Sequence, residues 1–177
     1  MKKIQFVIFC ISILTAMNAP AFGWATGEGS AYSRGNMLGS AGVSVYHFGA
    51  LTAFDYGLHD CISAGVAAGY TTYKFGTSTR THQVPVMARV AFHPFNLKVL
   101  SDKIVLRDML DVYAGISAGW IFRWYTTEQG IQKPDEGSSP RTREYIGMRY
   151  FFSDKLAVFV EDSGYLSYIG GGITYRF

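Results

Sequence analysis

Cysteine is nearly missing from this chain. Cys10 and Cys61 are the only two in 177 residues, and Cys10 lies inside an apolar run near the amino terminus. A domain carrying Cys61 alone has no internal disulfide, so packing and backbone pairing must hold it together. No Leu-Ala-Gly context precedes Cys10, so a lipid anchor there is not expected. Beyond the first 21 residues no apolar run approaches the roughly 18 to 20 residues of a spanning helix, which excludes a helical membrane protein. Charge of one sign is also lacking. The chain has 16 basic and 13 acidic residues, and without Lys2 and Lys3 the balance is 14 to 13, so no nucleic-acid partner is implied. Cys/His clusters and Asp-rich loops with ligand spacing are absent, so neither a metal nor a cofactor is expected.

What is present is 12 Tyr, 13 Phe and 20 Gly, and their arrangement is periodic. Lys2 and Lys3, the apolar stretch Ile4 to Met17 and the small residues Ala19-Pro20-Ala21 form the three regions of a secretory signal peptide. Cleavage is expected after Ala21, with Ala25 as the alternative. Residues 22–35 then read as a short periplasmic lead-in and residues 36–177 as one domain.

Within that domain apolar and small residues alternate at period two, as strands require. Strands are expected at Met37 to Tyr46, Gly49 to Leu58, Cys61 to Lys74 and around Val84 to Phe92. Four more follow at Leu110 to Arg123, Arg143 to Phe152, Leu156 to Asp162 and Tyr168 to Phe177. Leu110, Val112, Ala114, Ile116, Ala118, Trp120 and Phe122 share one parity. Pro85 within the fourth strand is expected near a rim, where water replaces the missing ladder bond. Phe75 to Thr81 and Thr126 to Pro140 read as polar loops, and Pro94 to Met109 as a periplasmic connection with a short interfacial helix.

Eight consecutive antiparallel strands make a closed barrel, either soluble or membrane-spanning, and the two differ in which face is apolar. The face opposite the apolar one carries Gly, Ala, Ser and Thr, too small to solubilise a surface but suited to a narrow lumen. The apolar face therefore meets lipid, where every backbone amide must be paired and the last strand must close on the first. Tyr56, Tyr70, Trp120, Phe122, Tyr175 and Phe177 fall near strand ends, as interfacial girdles require. The lumen parity carries Asp55, Arg89, Asp111, Arg149, Glu161 and Arg176, three charges of each sign. Their signs alternate from the fourth strand onward, which points to an interior ion-pair network in which Arg149 and Glu161 compensate each other or lean on Arg89, Asp111 and Arg176.

Val84-Pro85-Val86, Asp111-Val112-Tyr113-Ala114-Gly115, Gly147-Met148-Arg149-Tyr150-Phe151-Phe152 with Ser153-Asp154-Lys155, Glu161 and Gly172 to Phe177 together carry a family likeness. The chain resembles the small eight-stranded outer-membrane β-barrels of the OmpX and OmpA-transmembrane type, in the version found in Bacteroidetes-like bacteria. The resemblance implies a porin-like fold in the outer membrane of a Gram-negative cell. It also implies that Gly172, Tyr175 and Phe177 form the carboxyl-terminal signal read by the barrel-assembly machinery. Partners are then outer-membrane lipid, that machinery, and an extracellular ligand the residues do not specify, with the protein itself a monomer.

Function in such barrels resides in variable loops. A structural, surface-exposed role is expected first, then an adhesin acting through residues 126–140, then a small pore or a lipid A-modifying enzyme. No catalytic set is legible: His47 near Ser44 and His82 near Ser78 lack a matched carboxylate, His59 sits in a turn, and His93 precedes a proline.

Overall fold

The computed structural model describes residues 31–45, 47–75, 79–97, 106–127, 132–134, 138–164 and 168–177. The expected signal segment, residues 22–30 of the lead-in and the Lys98 and Lys103 part of the 94–109 connection lie outside them. Among the described residues nine strands form: β1 Met37–Ser44, β2 Phe48–His59, β3 Ile62–Phe75, β4 Thr79–Phe92, β5 Leu110–Thr127, β6 Gln132–Pro134, β7 Ser139–Phe151, β8 Leu156–Gly164 and β9 Tyr168–Arg176.

Eight of them close a ring of antiparallel pairs in the order β1, β2, β3, β4, β5, β7, β8, β9 and back to β1. The seam pairs Leu38 with Arg176 at one end and Ser44 with Gly170 at the other, and the Phe177 amide donates to Met37 O at 3.0 Å. An even number of strands brings the start of β1 and the end of β9 to one end of the barrel, with the His59–Cys61 and Ser153–Lys155 turns and the described parts of the connection after β4.

The charged stretch expected as a loop over residues 126–140 contains strand instead. β5 runs on to Thr127, and β6 folds back along it with Trp124 opposite Pro134 and Thr126 opposite Gln132. Trp124, Tyr125, Thr126 and Thr127 are good strand formers, so the ribbon extends past the last β5–β7 pair, Ile121 with Ser139. The polar segment expected after β3 shrinks likewise, since β3 reaches Phe75 and β4 begins at Thr79. In the 94–109 connection the described residues form a 3₁₀ turn at Pro94–Asn96 and a hydrogen-bonded turn over 106–109, and residues 98–105, on which the expected interfacial helix falls, lie outside the described residues. Leu110, expected outward, is buried where that second turn bonds back to its amide.

Pro85 lies mid-strand, not at a rim. The β3–β4 ladder runs from Ile62–Phe92 to Ala68–Val86 and resumes at Thr71–Gln83, skipping Gly69, Tyr70, Val84 and Pro85. On its other side Pro85 still faces Ile121 of β5. The break falls where proline has no N–H to give.

Burial is inverted relative to a water-soluble barrel. Val43, Val66, Ile116 and Ile173 are 62%, 58%, 65% and 55% exposed on the outer wall, while Arg89, Arg149 and Glu161 are 3%, 1% and 2% exposed inside. The lumen fills with small apolar groups, such as Ala53, Ala67 and Met87, between polar layers. Exposed aromatics gather toward both ends of the wall. Phe54, Tyr56, Phe92, Tyr175 and Phe177 lie toward the end holding the termini, and Phe48, Trp120 and Phe122 toward the other.

Residues 31–35 of the expected lead-in, with Asn36, pack against the terminal end of the barrel. Ala31 and Tyr32 are buried with Leu38, Phe151 and Ala157. The Ala31 amide donates to Arg107 O, the Gly35 amide to Gly57 O, and the Arg34 amide to Asp60 Oδ1. Asn96 donates to Tyr32 O and Asp60 O, tying this segment to the 93–97 turn.

Candidate functional site

The polar layer of the lumen is built by inward-facing residues of six strands. Asp55 of β2 is bridged by two guanidiniums: Arg149 Nη2 of β7 lies 2.5 Å from Asp55 Oδ2, and Arg89 Nε of β4 lies 3.0 Å from Asp55 Oδ1. The first is an aligned hydrogen bond, the second an ion pair without that alignment. Arg149 Nη1 also donates to Asp111 Oδ2 at 3.0 Å. Arg89 forks onto Glu161 of β8, donating to Oε1 and Oε2 at 3.2 and 2.8 Å. Tyr113 Oη donates to Glu161 Oε2 at 2.8 Å. Aromatic faces line the guanidiniums, with Arg149 4.2 Å from the Tyr113 ring centroid and Arg89 4.2 Å from that of Tyr145.

Two features of this lattice differ from a reading by neighbouring strands. Arg149 and Glu161 form no direct pair: Glu161 stands opposite Gly147 and Arg149 opposite Phe159, so they are out of step on the wall. Asp111 and Arg149 do pair between neighbouring strands, where they stand opposite each other, while other pairs run across the lumen, β2 to β7 and β4 to β8, because eight strands enclose a space that a long side chain spans. Arg176 is outside the lattice. Its guanidinium donates to Ala31 O and lies over the Phe151 ring at 4.2 Å, so it holds the amino-terminal segment. His93, which follows β4, joins the lattice through Asp111.

Glycine makes the crossings sterically feasible. A Cβ on Gly65 would stand 2.5 Å from Asp55 Oδ1, in the space through which Asp55 reaches Arg89. On Gly147 it would stand 2.5 Å from Tyr113 Oη and 2.6 Å from Cζ, blocking the path of Tyr113 over β7 to Glu161. Gly147→Ala is therefore expected to lower unfolding stability in detergent by about 1 to 3 kcal/mol, the usual cost of overpacking. Combining it with Tyr113→Phe should cost less than the sum, because both changes remove the same bond. Additive costs would show that the two residues do not share this space.

His93 sits where the lattice meets the barrel's terminal end. Its Nδ1 is 2.6 Å from Asp111 Oδ1 and its Nε2 is 3.0 Å from Ser63 Oγ. That is the connectivity of a hydrolase triad, which sequence reasoning missed. Inward parity of Ser63, Asp111 and the residue after β4, all at one end, was the available signal. Reactivity needs access, and Ser63 is 1% exposed. Tyr32 covers His93 with its ring parallel at 2° and centroids 3.6 Å apart. Tyr32 Oη donates to Ile62 O at 2.8 Å. Burial, then the nearby Asp111 carboxylate, push the Tyr32 phenol well above its ordinary range, so it stays a donor at working pH. The arrangement joins the lattice to the amino-terminal segment, with no space left for an acyl substrate at Ser63.

The other histidines lie elsewhere. His82 is on the outer wall between Tyr70 and Trp124, with Nδ1 2.7 Å from Tyr70 Oη and Nε2 3.1 Å from Thr126 Oγ1. His47 stacks on Tyr73 at 4.8 Å, and His59 Nδ1 is 3.3 Å from the Cys61 amide. Among the described residues no group of three or more His, Cys, Asp or Glu could hold a metal.

The terminal strand places Gly172 opposite Gly42 at the closing seam, and Tyr175 and Phe177 on the outer wall. Phe177 packs edge-on to Tyr175 at 5.0 Å and lies 6.2 Å from the Phe54 ring across β1. Gly39 leaves the space between, since a Cβ there would stand 3.0 Å from the Phe177 ring.

No family model matches the chain, and no curated protein matches it. Among solved structures it is similar to Ail, the attachment invasion locus protein of Yersinia pestis, at 14% identity over 80% of this chain and 94% of that one, with a TM-score of 0.39. A likeness of that size says nothing about activity. The closed eight-stranded antiparallel barrel rests on its own strand pairing.

Proposed function

We propose that the chain is an integral outer-membrane β-barrel of a Gram-negative cell, with a structural, surface-presenting role and no catalytic activity. The observation that carries this reading is the inverted burial: aliphatic side chains cover the wall while the ion pairs lie inside. Water would not tolerate that wall, and a bilayer requires it. Both chain ends and the packed 31–36 segment would face the periplasm, from which an exported barrel inserts. The ion-pair layer fills the lumen, which fits a non-conducting wall element. A closed ring leaves the wall no strand edge to offer a second copy, which fits a monomer.

The test is fractionation. The protein should sediment with outer membranes and migrate faster in unheated than in heated SDS gels, whereas a periplasmic pool soluble without detergent would contradict the reading. Gly172, Tyr175 and Phe177 would serve as the signal for the assembly machinery. Deleting Phe177 is expected to leave aggregated or degraded precursor, and wild-type insertion of the truncated chain would remove that role.

The β5–β6 ribbon favours a second reading, a contact protein. It projects past the β7 pairing at the end opposite the termini, and so outside the cell in this orientation. Replacing residues 128–137 with a short Gly-Ser turn should abolish any cell-surface contact while leaving the heat-dependent gel shift intact.

A further inference from the structure

On the outer wall, at the end opposite the termini, Lys74 of β3 and Arg80 of β4 stand directly opposite each other and both are exposed. Like charges at that spacing repel. Neither takes part in an ion pair among the described residues. Between them and the apolar wall lies a hollow of ≈ 370 Å³ lined by Phe48, Thr72, Tyr73, Lys74 and Arg80. Thr72 lies at the base of the same hollow and is only 8% exposed. Two like charges without an ion pair among the described residues, beside one hollow, suit an anion.

The surroundings specify what carries the anion. Phe48 is 82% exposed beside the hollow. Directly along the wall a second hollow of ≈ 240 Å³ runs over Ala50, Thr52, Ala68 and Tyr70, where small outward side chains leave a trough. The registers Phe48–Thr72, Ala50–Tyr70 and Thr52–Ala68 place the two hollows end to end, the charged one outermost. Tyr70 is held at their junction by its bond to His82. A charged head leading into an apolar trough fits an amphiphile lying against the barrel.

We propose that this face binds a phosphorylated lipid of the outer leaflet. Its phosphate would rest on Lys74 and Arg80, and one acyl chain would follow the trough over Ala50 and Ala68. Guanidinium and ammonium groups supply charge-assisted bonds to the phosphate, and Arg80 can bind two of its oxygens. The proposal rests on the outer-membrane reading, which places this end of the wall in the outer leaflet.

Native mass spectrometry of the full folded barrel in detergent, titrated with bis-phosphorylated lipid A or with chemically dephosphorylated lipid A, tests it. The wild type should hold the phosphorylated lipid about tenfold more tightly than the dephosphorylated one, and Lys74→Gln with Arg80→Gln should erase that preference. The charge-retaining exchange of Lys74→Arg with Arg80→Lys should keep it. Equal affinity of the wild type for the two lipids, or an undiminished preference in the Gln variant, would overturn the site. So would displacement by inorganic phosphate at the lipid's own concentration, which would reduce it to a free-anion site. Heat-dependent gel mobility of the same samples reports the barrel itself. A barrel that shifts normally but ignores the phosphate refutes only the lipid site, and one that does not shift refutes the membrane reading.

Discussion

Replacing Arg149 with methionine is expected to cost the barrel about 3 to 5 kcal/mol in denaturant unfolding, less where lumen water reaches the gap. Arg149 is 1% exposed and holds two carboxylates, Asp55 at 2.5 Å and Asp111 at 3.0 Å. The substitution keeps much of the volume and leaves both acids short of a counter-charge. The lattice has little reserve, since two guanidiniums, Arg89 and Arg149, already face three carboxylates, Asp55, Asp111 and Glu161. Asp55→Asn in the same chain should recover part of the loss, because it removes one of the stranded charges. Glu161→Gln should recover less, since Glu161 reaches Arg149 only indirectly, through Arg89 with Asp55 and through Tyr113. Strict additivity of Arg149→Met with both acid substitutions would mean that no shared lattice exists.

Val66→Arg is the complementary change on the outside. Val66 is 58% exposed at the middle of β3, opposite Phe54 on β2 and Ala88 on β4. At such a depth a lipid-facing arginine costs about 2 to 4 kcal/mol. In a water-soluble barrel the same exposed position would shift stability by no more than about 0.5 kcal/mol either way. Unfolding measured in lipid vesicles separates the two cases, and a near-zero cost would contradict a lipid-facing wall.

The ring of eight strands was legible because alternation is strict where one face meets lipid and the other a crowded lumen. β5 shows this over six successive outward positions, Val112 to Phe122, while the seventh, Leu110, is buried. The sixth element, β6, was hidden because Gln132, Lys133 and Pro134 carry no alternation signal, and the pairing comes from the extended end of β5. Interior membership of Asp55, Arg89, Asp111, Arg149 and Glu161 followed from parity alone. The neighbouring pair Asp111 with Arg149 was legible too, but the other pairings were not, because pairing across the lumen depends on barrel diameter and on openings such as Gly65 and Gly147, which a list of strand neighbours does not contain. His93 follows the last residue of β4, and Tyr32 precedes β1 in a stretch that reads as spacer. Their stacking arises only when the amino-terminal segment folds back against the barrel. Arg176 shares lumen parity yet serves that segment, as its position at the last strand's end allows.

The central claim, that one parity of every strand meets lipid and the other the lumen, is tested most directly along β4. In a Cys61→Ser background, single cysteines at Val86, Met87, Ala88, Val90 and Ala91 would carry an environment-sensitive fluorophore in bilayers doped with brominated lipid. Quenching should alternate, strong at 86, 88 and 90 and weak at 87 and 91. Uniform quenching, or the opposite alternation, would contradict an outer wall built from these residues.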